Sequence, residues 1–403
     1  MTNEREFDLV LLGATGFTGG LAARYLARHA AAHNDSASTA KPLRFAIAGR
    51  SQHKLDKVIA ELAPLLGGTL APATIVADND ELASLRAMCA RTRVVITTVG
   101  PFNTVGDNVV AACVAEKTHY ADITGEPEFV RRMISRHDDE ARAAGVKVVP
   151  CCGFDCIPHD LGVQHVIEML GPADSFEVEG FVSANAGISG GTLQSALNAM
   201  AQLGSTNEAA RALHHDGPTD RDIHGQVRAR YDRELGGWAL PLPTIDAAVV
   251  LRSAHTLRAY GERFRYGQYM LIKRTAAAVG VMGAVGTMAL LAQTKPTREW
   301  LASKLPAGTG PSEKRRSKSW FECQYVATAK GPQGTRRGKV TVRGGDPGYD
   351  ETAKMLSQTG LCLAFDQHKL SEYTGVLTPA VALGAVLRER LHREQMTFEF
   401  KES

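Results

Sequence analysis

Leu9-Val10-Leu11-Leu12 is an unbroken apolar run that stops at Gly13, and the period of the apolar positions changes directly behind it. Phe17, Leu21 and Tyr25 or Leu26 then fall on one helical face, so a strand leads through a glycine turn into a helix. The alternation continues down the chain. Residues 43–48 predict a second strand, and Leu55, Val58, Ile59 and Leu62 a helix behind it. Residues 73–77 predict a third strand ending at Asp78, with a helix on Leu82, Leu85 and Met88. Residues 94–99 are β-branched throughout, which suits a parallel strand buried on both faces. A helix carrying Val109, Val110, Cys113 and Val114 comes next, then a strand over 119–123, a helix over 127–144 and a strand over 146–150.

Strand and helix in strict alternation predict an α/β domain, a doubly wound parallel sheet of the Rossmann type. The pattern changes after residue 170. Phe176, Val178, Gly180 and Val182 alternate with other residues, as do 320–329 and 338–343, and the last two runs are joined through 331–334. They predict a second, α+β domain containing an antiparallel sheet. Residues 205–235 read as a polar insertion, 308–319 as a basic linker with solvated charges, and 350–363 as a helix. Thr378 and Pro379 suit the N-cap and first position of a last helix, and 396–400 a final strand. The expected division is a nucleotide-binding domain over 1–160, a substrate or lipid-interaction domain over 161–375, and a helix and tail over 376–403 that can return to the first domain.

Composition narrows the function. A chain of 403 residues with 44% hydrophobic side chains has material for two cored domains. A formal net charge of +3 gives no bulk attraction for nucleic acid. Seven cysteines, an odd number without a disulfide framework, fit a reducing, cytoplasmic setting. Cys151, Cys152 and Cys156 cluster without the partners that a zinc site needs, so no metal is expected. The polar, charged stretch before the first strand does not read as a secretory signal.

The first turn carries the candidate chemistry. Gly13-Ala14-Thr15-Gly16-Phe17-Thr18-Gly19 is G-x-x-G-x-x-G between a strand and a helix. Glycine allows positive φ and close backbone approach, and a helix N-terminus offers N–H groups to phosphate. An ordinary βα turn remains the plain alternative. The second strand ends at Arg50, with Ser51 beside it and Lys54 one helical turn on. In a doubly wound fold this position meets the adenosine ribose; an acidic residue there suits NAD, whereas arginine accommodates the 2′-phosphate of NADP. Asp78, at the end of the third strand, and Thr98, Val99, Gly100 and Pro101, at the end of the fourth, complete the expected NADP(H) site.

Together these segments resemble a known family. Residues 13–19, Ala48-Gly49-Arg50-Ser51, Thr98-Val99-Gly100-Pro101-Phe102, Tyr120-Ala121-Asp122-Ile123-Thr124-Gly125-Glu126 and Gly153-Phe154-Asp155-Cys156-Ile157-Pro158-His159-Asp160-Leu161-Gly162 are similar to the saccharopine-dehydrogenase-like oxidoreductases. The likeness is closest to the mycobacterial trans-acting enoyl reductases and continues through Ser189-Gly190-Gly191-Thr192, 261–266, 308–311 and 375–379. Cys156 and His159 depart from the family, which often has serine at the first position and serine or alanine at the second. The resemblance implies an NADP-binding domain and reduction of an unsaturated lipid or polyketide thioester, in trans to a synthase that lacks its own enoyl-reductase module. The partner would then be an acyl thioester, free or on a carrier protein.

Enoyl reduction needs a hydride at the β-carbon, a proton at the α-carbon and a donor for the thioester oxygen. Tyr120, Asp122, Asp155 and His159 lie near the strand ends and are the candidates. Each has a structural alternative; Asp155 and Asp160 suit caps of the helix around Pro158. Ser189, Gly190, Gly191 and Thr192 precede an apolar helical pattern whose start can hold a thioester or phosphopantetheine group, or merely be capped. Tyr269-x-x-x-Lys273 has a dehydrogenase spacing but lies outside the nucleotide domain, so it reads as coincidence. Residues 275–294 carry no charge and are flanked by Lys273, Arg274, Lys295 and Arg298. Low leucine content argues against independent insertion, which leaves a peripheral lipid contact, at the inner face of the plasma membrane, or a buried helix or partner surface. A non-catalytic, NADP-binding, lipid-associated protein and a true saccharopine dehydrogenase stay open as alternatives, as does a homodimer.

Overall fold

The computed structural model describes residues 5–33, 42–69, 71–186, 197, 200–201, 208–210, 213, 220–242, 244–304 and 310–403. Ser189, Gly190, Gly191 and Thr192 lie outside the described residues. The chain forms two compact units: Met1–Thr124, Arg132–Gly153 and Tyr349–Leu377 make the first, and Gly125–Arg131, Phe154–Gly348 and Thr378–Ser403 the second. This corrects the expected boundaries. Tyr349–Leu377 packs in the first unit rather than the second, and the C-terminal helix and strand belong to the second rather than returning to the first.

The first unit begins with β1 (Phe7–Leu12), α1 (Phe17–His33), β2 (Phe45–Gly49), α2 (Gln52–Leu62), β3 (Ala73–Val76), α3 (Leu82–Cys89) and β4 (Thr92–Thr97). It continues with α4 (Phe102–Val105), α5 (Asp107–Ala115), β5 (His119–Asp122), α6 (Pro127–Ala144), whose first turn counts with the second unit, and β6 (Lys147–Val149). All pairings in its sheet are parallel, and with the short β14 (Gly375–Val376) the order is β14-β6-β5-β4-β1-β2-β3. Every residue of β1 is buried, as a strand covered on both faces requires. One cover is the helix Asp350–Phe365, which lies on α1 and across β1, β4 and β5. It approaches so closely that a Cβ at Gly360 would stand 2.4 Å from Leu9 Cδ1 and 2.7 Å from Ile96 Cγ2. Only glycine fits there.

The second unit holds α7 (Ile157–Leu170), β7 (Ser175–Asn185), β8 (Asp222–Gly225), β9 (Arg230–Asp232), β10 (Gly237–Pro241), α8 (Asp246–Thr256) and β11 (Arg263–Ile272). After these come α9 (Thr275–Ala292), α10 (Lys295–Ser303), α11 (Glu313–Arg316), β12 (Trp320–Gly331) and β13 (Gly334–Gly344). Numbering the returning helix of the first unit α12, the chain ends with α13 (Pro379–Ala382), α14 (Gly384–Arg393) and β15 (Thr397–Glu402). The sheet runs β15-β13-β12-β7-β11-β10-β9, with β8 also on β11. It is mixed: β11 is parallel to β7 and β8, and the other pairings are antiparallel. β12 alternates buried and half-buried residues, the pattern of a strand with one face on the core. That face meets α7, where a Cβ at Gly162 would lie 2.3 Å from the ring of Tyr325.

Two local expectations change. Thr378 caps α13, accepting from the Val381 N–H at 3.5 Å, but Asp160 does not cap its own helix. Its carboxylate accepts from the Ala380 N–H at 2.7 Å and the Ser253 hydroxyl at 2.6 Å. In the basic stretch, Arg316 is buried and donates to the Pro311 carbonyl at 2.8 Å, so not all of those charges are solvated.

Candidate functional site

Parallel strands bring the first four βα connections to one edge of the sheet, in the order β3-β2-β1-β4. The order reverses between β1 and β4, and a crevice for ligands opens beyond the carboxyl ends at such a reversal. The three glycines of the first turn do three different things. Gly13 has φ +94°, and a Cβ on it would stand 2.6 Å from Val99 Cγ2 and 2.9 Å from Thr98 Oγ1. Gly19 closes the start of α1 onto the turn, since a Cβ there would stand 2.0 Å from the Gly13 carbonyl oxygen. Gly16 is exposed, and its Cβ would meet only that same oxygen, at 3.4 Å. Tight turn, open approach and close helix packing are the three glycine roles in a turn that holds a pyrophosphate.

Hydrogen bonds fix this turn to its neighbours. The Gly13 N–H donates to Ala48 O at 2.9 Å, and the Thr98 hydroxyl donates to Gly13 O at 3.3 Å. Ala14 is buried, Thr15 exposed, and Phe17 and Thr18 half-buried. The Phe17 ring is held edge-on by Tyr349, 5.2 Å between centroids. Tyr349 sits some 330 residues downstream, and nothing in its local pattern announced this contact. Beside the turn, β2 ends at Gly49, where a Cβ would lie 3.9 Å from Thr15 Oγ1. Arg50 and Lys54 follow, both exposed, with Ser51 at the N-cap of α2 and its hydroxyl making no cap bond. Asp78 is half-buried and accepts from the Asp80 N–H at 3.1 Å. Thr98 and Val99 are half-buried, Gly100 and Pro101 exposed and joined by a cis peptide.

At the end of β5 the structure removes one candidate. Tyr120 is fully buried, and its hydroxyl donates to Asp122 at 2.7 Å. Burial pushes that phenol well above its ordinary range, so Tyr120 is not placed to release a proton to a substrate. Asp122 is a structural tie: its carboxylate accepts from the Thr124 and Cys151 N–H groups at 2.9 and 3.0 Å. All seven cysteines are buried and free of disulfides. Among the described residues no group of three His, Cys, Asp or Glu side chains could hold a metal.

In the second unit, Asp155 and His159 flank the start of α7. Asp155 is exposed yet densely surrounded, and loss of hydration raises its carboxyl. A Cβ at Gly125 would stand 3.0 Å from its Oδ2. His159, by contrast, is 2% exposed. Its Nδ1 lies 2.7 Å from the Tyr325 hydroxyl and 3.0 Å from the Gln268 amide nitrogen, and its Nε2 lies 3.4 Å from Asp246 Oδ2. Two donors facing Nδ1 assign the proton to Nε2, pointing at Asp246. Burial holds the imidazole near 3 and therefore neutral. The same burial, with Asp155 adding to it, pushes Asp246 up to about 7. His159 thus belongs to an internal polar network and does not touch solvent. Asp246, Gln268 and Tyr325 escaped the sequence reading because they come from three distant elements.

Residues 9–149 match the saccharopine dehydrogenase NADP binding domain. A Mycobacterium tuberculosis protein provisionally named a trans-acting enoyl reductase is 37% identical over 418 residues, covering 96% of each chain. The trans-acting enoyl reductase of Mycobacterium ulcerans is 34% identical over 421 residues, again 96% of each. Among solved structures, saccharopine dehydrogenase (L-Glu forming) from Saccharomyces cerevisiae is similar in fold, with a TM-score of 0.56 at 14% identity over 98% of this chain and 99% of that one. With its glycine turn, its basic end of β2 and relatives that match along nearly the whole length, the chain belongs to the family of the trans-acting enoyl reductases and carries an NADP-binding domain of the saccharopine dehydrogenase kind.

Proposed function

We propose that this protein is an NADPH-dependent enoyl reductase acting on a lipid or polyketide 2-enoyl thioester, on coenzyme A or on a carrier protein. The observation that carries the proposal is the division of labour among Gly13, Gly16 and Gly19 beside an exposed Arg50. NADPH, when bound, supplies the hydride that adds at the β-carbon. The chain's own part is to hold and orient. Gly16 leaves the turn open to the pyrophosphate, and the start of α1 faces it. Arg50, Ser51 and Lys54 take the 2′-phosphate, with Arg50 offering a planar fork of donors. Asp78 and the Thr98–Pro101 backbone line the same sheet edge.

The α-carbon also needs a proton donor that a substrate can reach. Asp155 qualifies on two observations: it reaches solvent, and its surroundings raise its carboxyl. His159 acts through others, as a positioning residue that holds Tyr325 and Gln268 in the interior of the second unit. Ser189, Gly190, Gly191 and Thr192 are retained as a candidate contact for the thioester. The balanced reaction adds one hydride and one proton across the carbon–carbon double bond and leaves the thioester intact.

The test is NADPH oxidation against a panel of 2-enoyl thioesters on coenzyme A and on a carrier protein, with saccharopine formation as a control. Turnover of an enoyl thioester supports the reading. Tight NADPH binding without turnover of any of them would favour the non-catalytic alternative. Arg50→Ala should weaken NADPH binding roughly 10- to 160-fold while leaving NADH nearly unchanged, the loss of one charge-assisted contact of ~1.5–3 kcal/mol.

A further inference from the structure

α9 is apolar on every side. Its 18 residues, Thr275–Ala292, hold no charge and have a mean hydropathy of 1.8. Such a helix needs apolar surroundings on every side, and the described residues supply few. Within it only Ala278 and Ala292 are buried, while Leu290 is 75%, Val279 59%, Met282 50% and Val285 46% exposed. Single exposed apolar residues are ordinary; a contiguous exposed helix of them marks a contact surface.

Topology decides how such a surface is used. The chain leaves the second unit's sheet at Ile272 on β11 and rejoins it at Trp320 on β12, and both strands flank β7. A helix that crossed a bilayer would need a second crossing to return. Between Gln293 and Ser319 there is no second apolar stretch, only a segment rich in Lys and Arg. α9 is therefore confined to one side, and its first turn is held to the sheet, with the Trp238 indole donating to Thr275 Oγ1 at 3.1 Å.

Charge selects the occupant. From Lys273 to Lys318 there are nine Lys and Arg against only Glu299 and Glu313, in a chain whose net charge is +3. Lys273, Arg274, Lys295 and Lys304 are exposed at the two ends of the apolar surface. Behind α9, α10 exposes Trp300 to 55%, and the Lys304 ammonium lies 5.0 Å from the centre of its ring. An apolar helix with basic ends and an exposed tryptophan suits the boundary between acyl chains and anionic headgroups. A second copy would set two basic rims against each other.

We infer that α9, α10 and their basic flanks dock reversibly on an anionic lipid bilayer, with α9 lying in the plane of the surface. This stands independently of the reaction proposed above. The test is flotation of the full chain with vesicles of equal phosphatidylcholine and phosphatidylglycerol, beside vesicles of phosphatidylcholine alone. At about 50 mM salt, where surface charges act over more than a nanometre, the protein floats with the anionic vesicles and at least tenfold less with the neutral ones. Val279→Glu/Val285→Glu keeps NADPH binding and the melting temperature but loses at least tenfold in vesicle binding, and Lys273→Glu/Arg274→Glu loses the preference for anionic lipid. The inference is overturned if the wild type stays at the bottom of the anionic gradient. It is equally overturned if the double glutamate variant floats unchanged or unfolds, since unfolding would make α9 core. A dimer in sedimentation velocity that becomes monomer in that variant, with no flotation of the wild type, would assign the surface to a second copy instead.

Discussion

Gly16 and Gly19 are the same residue three positions apart, and their surroundings predict opposite consequences of substitution. A side chain at Gly16 meets nothing closer than the Gly13 carbonyl oxygen at 3.4 Å, so Gly16→Val leaves the melting temperature near wild type and abolishes NADPH binding. At Gly19 the new Cβ meets backbone at 2.0 Å, so Gly19→Ala lowers stability by ~1–3 kcal/mol before any cofactor is added. Thermal melts with and without NADPH read both; loss of stability at Gly16, or none at Gly19, would contradict this division. Buried titratable groups give a second residue-scale prediction. Asp246 is raised to about 7, so between its unfolded pKa near 4 and 7 the folded state binds the extra proton. Stability from this group is fully present below about 4 and falls as pH rises through 7, by at most ~1.4 kcal/mol per pH unit. Asp160, also about 7, contributes with the same sign. His159, held near 3, contributes oppositely, its stability growing as pH rises from 3 towards the ordinary histidine range. Asp246→Asn should therefore make the downward part of the slope between pH 4 and 7 shallower in denaturant titrations, leaving the share of Asp160, and an unchanged slope would show that Asp246 is already ionised in the folded protein. The glycines and Arg50 were legible because each position makes a demand that few residue types meet. The ring of groups around His159 was not, because Asp246, Gln268 and Tyr325 acquire their meaning only by meeting.

Elements repeat this contrast on a larger scale. α1, α6 and α12 follow directly from their apolar periods, and β1 from its unbroken apolar run, since covering both faces of a strand leaves no room for polar positions. What covers an element is not written in it. The pattern of 350–363 announces a helix but is silent about α1 and β1, β4 and β5 beneath it. Likewise, alternation identified β7 as a strand without announcing its parallel partner β11, which the sequence pattern did not single out. The approach of α7 to β12 shows how one position sets such a contact. Gly162 gives Tyr325 its place against the helix, and Tyr325 in turn holds His159. Gly162→Ala should push the ring away, at a cost of ~1–3 kcal/mol, and free the imidazole to titrate higher. Proton NMR of His159 checks this; an imidazole that stays neutral down to the wild-type range would mean the ring shift is absorbed elsewhere.

For the whole molecule the decisive feature is that the first unit is assembled from three stretches, the last of which follows the entire middle of the chain. Residues 1–153 alone contain six of the seven strands and the glycine turn, yet lack the helix that lies on β1, β4 and β5. That fragment should melt without a cooperative transition and bind no NADPH. Joining it by a short flexible link to residues 349–377 should restore both, as read by calorimetry and cofactor titration. Cooperative melting of the short fragment would show that α12 is an accessory cover.

The same interleaving sets a clock in the cell. Chains emerge from the ribosome at about 5–20 residues per second, so the interval between Gly153 and Leu377 lasts roughly 10–45 seconds. Through that interval the nascent nucleotide-binding sheet waits with one apolar face uncovered, while the polypeptide of the second unit is still being made. A chaperone that shelters β1, β4 and β5 during synthesis would therefore raise the yield of active protein more than one added after release, and slowing translation between those two residues should lower it.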